Sequence, residues 1–149
     1  MIEKIAMSRP EVDWSDIEEI VSCLRSGRLA LGPKAEEFEK EMANYAGVDY
    51  GVAISSGTAG LHILVRALDI KESDEILVPS FTFSSTVNVV LYERAKPVFV
   101  DINSDTYTID PGDIERKITK RTKAVLVVDV FGHPAEWDEI LEIAENHNL

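Results

Sequence analysis

Apolar residues near the start of the chain recur every three or four positions, which predicts two helices. The first begins after Asp13, a predicted N-cap, and ends at Gly27. The second covers about residues 34–45 and ends at Gly47. Cys23 falls on the apolar face of the first helix, so we expect a small buried side chain there rather than a reactive thiol.

Beyond residue 50 the pattern changes to short and nearly unbroken apolar runs. Such runs are typical of strands that are buried on both faces of a parallel sheet. The predicted strands are 51–54, 75–79, 96–101 and 124–128, and the helices between and after them cover about residues 58–69, 84–94, 111–119 and 135–147.

This alternation predicts an α/β fold, a mostly parallel sheet between two layers of helices, with right-handed crossovers. Two helices therefore occupy residues 1–50, and the alternating strands and helices occupy residues 51–149.

The charge of the chain narrows the classes of ligand and partner. A formal net charge of -12 disfavours binding to nucleic acid and to anionic membranes. No apolar run is long enough to cross a membrane, and we expect a cytoplasmic protein. The three histidines show no metal-ligand spacing, so we expect no metal site.

Ligands of open α/β sheets bind at the carboxyl ends of the strands, which selects three loops. The first is Ser55-Ser56-Gly57-Thr58-Ala59-Gly60, between a predicted strand and a predicted helix. Its hydroxyl groups, its glycine and the free N–H groups of the helix start could hold a phosphate. An ordinary N-cap by Ser56 explains the same residues, and the pattern alone leaves both interpretations open.

The other two loops offer weaker signals. Phe81 and Phe83 follow the second predicted strand, where an aromatic side chain could stack on a planar ring or simply join the core. Asp129 and His133 follow the fourth strand, where a catalytic pair is possible, although Gly-His-Pro is also a plain turn sequence.

With these residues in view, the chain resembles the DegT/StrS family of aminotransferases that depend on pyridoxal phosphate (PLP). The resemblance covers nearly the whole chain and consists of an ordered series of short motifs. These are Ser26-Gly27 through Gly32-Pro33, Phe38-Glu39, Tyr45-Ala46-Gly47, Ser56-Gly57-Thr58-Ala59-Gly60-Leu61, Asp74-Glu75-Ile76, Pro79 through Phe83, Pro97 through Ile102, Ile114-Glu115, Thr122-Lys123-Ala124 and Phe131 through Ala135.

The resemblance implies a role for each matching residue. Gly57, Thr58 and Ala59 would hold the PLP phosphate through backbone N–H groups and the Thr58 hydroxyl, with Ser56 beside them. Phe83 would stack on the pyridine ring, while Phe81 stays a core candidate. The implied fold is the large, PLP-binding domain of fold type I PLP enzymes, with residues 51–149 as its incomplete first half. Residues 1–50 would be an N-terminal helical segment with an active-site loop. The implied assembly is a homodimer. The implied substrates are a nucleotide-linked keto-sugar and an amino donor, usually glutamate.

The chain departs from the family at two positions. Ala30-Leu31 stand where the family often has Thr before Gly-Pro, and Asp129 stands where it often has His. Both departures bear on contacts with the substrate more than on PLP binding.

The family's chemistry also needs a lysine that forms a Schiff base and an aspartate that pairs with the pyridinium nitrogen. We expect both beyond Leu149, and Lys117, Lys120 and Lys123 lie in the wrong context for that lysine. This predicts that the chain is part of a longer protein and is inactive alone.

Two other functions stay open. One is a PLP-dependent sugar dehydratase, in which histidine replaces the lysine. The other is a non-catalytic binding or regulatory domain. A nucleotide-binding Rossmann domain is disfavoured because no glycine fingerprint is present.

Overall fold

A computed structural model describes residues 8–30 and 32–149. The chain forms two compact units, Met1–Ala53 and Ile54–Leu149. No helix in the described residues is long and apolar enough to cross a membrane.

The first unit contains two helices, α1 (Trp14–Ser26) and α2 (Pro33–Ala46). Asp13 caps α1 as predicted, and it forms a reciprocal capping box with Asp16. Gly27 and Gly47 end the two helices in the left-handed conformation, which glycine adopts without steric cost.

The side chains of this unit are more exposed than the sequence suggests. No residue of α1 is buried, and Cys23 is only half-buried, so the prediction of a buried thiol is wrong. Phe38 and Met42 of α2 are also exposed. The apolar faces that the periodicity identifies are therefore real, but little of the described chain covers them.

The segment 51–54 does not form the strand predicted for it. The amide of Ala53 instead donates to the carboxylate of Glu39 at 2.8 Å. A strand needs a neighbouring strand to satisfy its backbone groups, and the described chain places none beside this segment. The prediction fails because pairing, unlike helix formation, is not local.

Gly51 lies against the backbone of α2. A Cβ atom at this position would be 2.4 Å from the carbonyl oxygen of Glu39, which cannot move without disturbing the helix. We therefore expect Gly51→Ala to lower the free energy of unfolding by about 1–3 kcal/mol. Chemical denaturation measures the loss. Gly57→Ala is the control, since a Cβ at Gly57 would have nothing within 4 Å. Equal stability of the two variants would contradict this expectation.

The second unit is a three-stranded parallel sheet with helices on both faces. Its strands are β1 (Glu75–Pro79), β2 (Lys96–Val100) and β3 (Thr122–Val125), in the order β2-β1-β3. Its helices are α3 (Gly57–Ala67), α4 (Ser84–Tyr92), α5 (Pro111–Lys117) and α6 (Trp137–His147). The α/β/α prediction is confirmed. β3 is shorter than predicted.

The core consists of two apolar layers separated by β1. Ile76 and Val78 pack with Val65 of α3 and Val89 of α4 on one face. Leu77, which points the other way, packs with residues of α5 and α6 on the opposite face. All five residues of β1 are buried, as a nearly unbroken apolar run predicts, and Glu75 is the one charged residue among them. The loop 80–83 follows the carboxyl end of this central strand.

Candidate functional site

The N-terminus of α3 is the helix start at which the sequence predicts a phosphate. The hydroxyl oxygen of Ser56 accepts the amide hydrogen of Ala59 at 3.1 Å, so Ser56 is a true N-cap. The amide of Gly60 donates to the carbonyl oxygen of Ser56. Among the residues that the structure describes, no acceptor is found for the amides of Gly57 and Thr58. Two first-turn donors are therefore available for a ligand.

The space around the Cα atom of Gly57 is open. Gly57 is exposed, and a Cβ atom there would meet nothing within 4 Å. Thr58 is half-buried. The positive end of the helix dipole lies at the same place, so a phosphate fits the chemistry of this helix start. The N-cap and phosphate interpretations are compatible, since the Ser56 hydroxyl can accept from Ala59 and still donate its own hydrogen to an anion. The Ala59 amide, by contrast, is already engaged.

Phe83 is the N-cap residue of α4 and presents its ring to solvent. The side chain is 75% exposed. Its backbone is extended, while the hydroxyl groups of Thr82 and Thr86 bond each other at 2.8 Å beneath it. An exposed ring on a fixed backbone at the carboxyl end of the central strand can stack on a planar group.

Phe81 does not belong to the core, and its prediction as a core candidate is wrong. Its ring is 43% exposed, with its centroid 6.0 Å from that of Tyr107 and 6.1 Å from that of Phe131. The three rings come from the loops after β1, β2 and β3. Sequence reasoning missed this grouping because the three residues are far apart in the chain. Each, however, follows a predicted strand, which is the signal that could have identified them.

Asp129 and His133 are not brought together as a catalytic pair. One carboxylate oxygen of Asp129 accepts the amide of Ala135 at 2.9 Å and the indole N–H of Trp137 at 3.1 Å. His133 is exposed, and its backbone amide closes the short turn Val130–Gly132 by donating to Val130. The geometry gives Asp129 the role of holding this turn against the start of α6.

This role of Asp129 predicts a difference between two substitutions. Asp129→Ala removes the acceptor for both donors and should lower the free energy of unfolding by about 1–2 kcal/mol. Asp129→Asn keeps an acceptor oxygen and should cost less than half as much. Urea denaturation of the two variants measures the difference, and equal losses would contradict the proposed hydrogen bonds.

The chain is similar in sequence to known proteins. The sequence model of the DegT/DnrJ/EryC1/StrS aminotransferase family matches residues 10–149. The spore coat polysaccharide biosynthesis protein SpsC of Bacillus subtilis is 42% identical over 95% of this chain and 36% of its own length. GDP-perosamine synthase of Escherichia coli O157:H7 is 36% identical over 97% of this chain and 40% of its own length.

Two solved structures show a similar fold. Spr1654 of Streptococcus pneumoniae, in its PLP form, superimposes with a TM-score of 0.92 at 33% identity, over 97% of this chain and 37% of that one. Escherichia coli GDP-4-keto-6-deoxy-D-mannose-3-dehydratase with bound hydrated PLP gives 0.91 at 29% identity, over 96% of this chain and 38% of that one. The chain thus spans little more than a third of the length of these proteins.

Proposed function

Because the chain belongs to the DegT/DnrJ/EryC1/StrS aminotransferase family, we propose that its protein transfers an amino group to a nucleotide-linked keto-sugar. The family match and the sugar-related relatives support this proposal. The observation in this chain that carries it is the helix start at Gly57 and Thr58, where the described residues provide no acceptor for either amide and Gly57 is exposed.

The cofactor that family membership supports is pyridoxal 5'-phosphate. When bound, it supplies an electron sink for bonds to the carbon that carries the amino group. The residues of this chain bind and orient it. Gly57 and Thr58 donate their amides to the phosphate, and the hydroxyl groups of Thr58 and Ser56 add two further donors. The ring of Phe83 restrains the plane of the pyridine ring.

The remaining catalytic groups are proposed to lie outside this chain. These are the Schiff-base lysine and the aspartate for the pyridinium nitrogen, supplied by the rest of a longer protein. The length of the relatives supports this, since the chain covers only 36–40% of SpsC and GDP-perosamine synthase. On this proposal the chain alone does not catalyse transamination, and the complete protein acts as a homodimer in the cytoplasm.

The test is to add PLP and then L-glutamate to the natural full-length protein. An aminotransferase should develop an absorption band at about 410–430 nm with PLP, and glutamate should remove it. Absence of the band in a protein that carries the lysine would refute the proposal.

The dehydratase is the second candidate, and the structural likeness to the E. coli 3-dehydratase favours keeping it. The residue at the position of the expected lysine separates the two activities. Lysine supports the aminotransferase, and histidine supports the dehydratase. The third candidate, a non-catalytic domain, predicts no binding of PLP by the natural protein.

A further inference from the structure

The aromatic cluster of Phe81, Tyr107 and Phe131 lies at the carboxyl edge of the sheet and has no part in the cofactor site described above. We propose that this cluster binds the planar base of the nucleotide-linked substrate. The inference rests on the proposed function, because the base is the part of such a substrate that an aromatic surface recognises.

All three rings of the cluster are exposed in the described chain. Phe81 is 43% exposed, Tyr107 is 52% exposed and Phe131 is 89% exposed. The planes of the Tyr107 and Phe131 rings are tilted by 52° and 59° from that of Phe81, so neither ring is stacked face to face on it. A planar heterocycle can stack on the exposed ring of Phe131.

The backbone that presents two of these rings is unusual. Tyr107 has φ of 61° and Phe131 has φ of 55°, in the left-handed region that large side chains avoid. Such conformations cost free energy and are concentrated at functional sites. Neither ring gains burial in the described chain that would explain this cost.

Each of the three loops is held in place by its own hydrogen bonds. The amide of Tyr107 donates to Asn103 at 2.8 Å, and the amide of Ser80, beside Phe81, donates to Val100 at 2.8 Å. Asp129 fixes the turn that carries Phe131 through its bonds to Ala135 and Trp137. The loops that carry the rings are therefore fixed before a ligand arrives, which lowers the entropic cost of binding.

The position of the cluster favours the base of a nucleotide-linked substrate. The three loops follow the carboxyl ends of parallel strands, where ligands of such sheets bind. GDP-perosamine synthase, a relative that covers nearly all of this chain, carries a guanosine nucleotide in its name.

The test compares Phe131→Ala with Phe131→Tyr in the natural full-length protein loaded with PLP. Isothermal titration with GDP, UDP and dTDP measures the affinity for whichever binds wild type most tightly. Loss of one base-stacking ring should weaken that binding by about tenfold, and the tyrosine variant should restore it to within about twofold. The matched control is Tyr45→Ala, because Tyr45 has the same 89% exposure as Phe131. It should leave the affinity unchanged.

The outcomes separate this inference from the proposed function. No PLP absorption band in wild type counts against the proposed function itself. A normal band with equal nucleotide affinity in wild type and Phe131→Ala overturns the base-binding inference alone. The inference is also overturned if Phe131→Ala keeps the nucleotide affinity of wild type but sediments as a smaller species. The cluster would then be a subunit interface. A normal band in every variant, with affinity lost only in Phe131→Ala, supports it.

Discussion

Replacing Gly57 with aspartate should weaken the binding of PLP by at least about a hundredfold without unfolding the protein. Two negative charges about 4 Å apart near a protein surface repel each other by roughly 4 kcal/mol, and tenfold in affinity corresponds to about 1.4 kcal/mol. The new carboxylate would also accept the amides that the phosphate needs. Fluorescence titration of PLP against the natural full-length protein measures the effect.

The fold should tolerate this change for two reasons. A Cβ atom at Gly57 would lie in open space. An acidic residue in the first turn of a helix interacts favourably with its dipole, so the thermal midpoint should not fall. Gly57→Asn is the matched control, because it has the same shape without the charge, and it should cost no more than about fivefold. Equal PLP affinity for the aspartate and asparagine variants would argue against a phosphate at this helix start.

Glu75→Gln should lower the free energy of unfolding by about 2 kcal/mol at neutral pH. Glu75 is the first residue of β1, at the edge of the sheet opposite the candidate site, and its side chain is 2% exposed. Its carboxylate accepts the Thr119 hydroxyl at 2.6 Å and a guanidinium nitrogen of Arg121 at 2.7 Å. Glutamine would keep the shape, but it would remove the charge and place its own N–H donor against the hydroxyl of Thr119 or the guanidinium of Arg121.

The same cluster predicts how stability depends on pH. The hydrogen bonds from Thr119 and Arg121 lower the pKa of Glu75 to about 2, from an ordinary value of 4.5. The charged form is favoured in the folded state. Its stabilising effect is therefore complete above pH 4.5 and is lost as the pH falls towards about 2. The difference in stability between wild type and Glu75→Gln should shrink over this range.

Denaturant titrations at several pH values measure this dependence. The exposed Glu142 of α6 provides the control, since Glu142→Gln should change the free energy of unfolding by less than about 0.5 kcal/mol. A Glu75→Gln protein as stable as wild type at neutral pH would contradict the structural role of this cluster.

Local signals in the sequence predicted most of the elements. The caps at Asp13, Gly27 and Gly47 are correct because capping depends on neighbours in the chain. The buried strand 75–79 was also predictable, because a short and nearly unbroken apolar run is typical of a strand that is buried on both faces of a parallel sheet. The prediction of a strand at 51–54 was wrong, because a strand forms only beside a partner strand, and the local sequence does not show whether one is present.

The candidate site could be predicted only in part. A short hydroxyl-rich segment before a helix identified Ser56 and Gly57, but not which amides stay free. That distinction depends on the rotamer of one serine. The grouping of Phe81 with Tyr107 and Phe131 depends on strand order and on two left-handed residues, neither of which the sequence pattern encodes.

A crystal structure of the natural full-length protein with PLP would show whether the cofactor phosphate binds at the start of α3. We expect phosphate oxygen atoms within hydrogen-bonding distance, about 3 Å, of the amide nitrogens of Gly57 and Thr58. We also expect the ring of Phe83 against the face of the pyridine. PLP bound elsewhere, with these two amides facing solvent, would contradict this expectation.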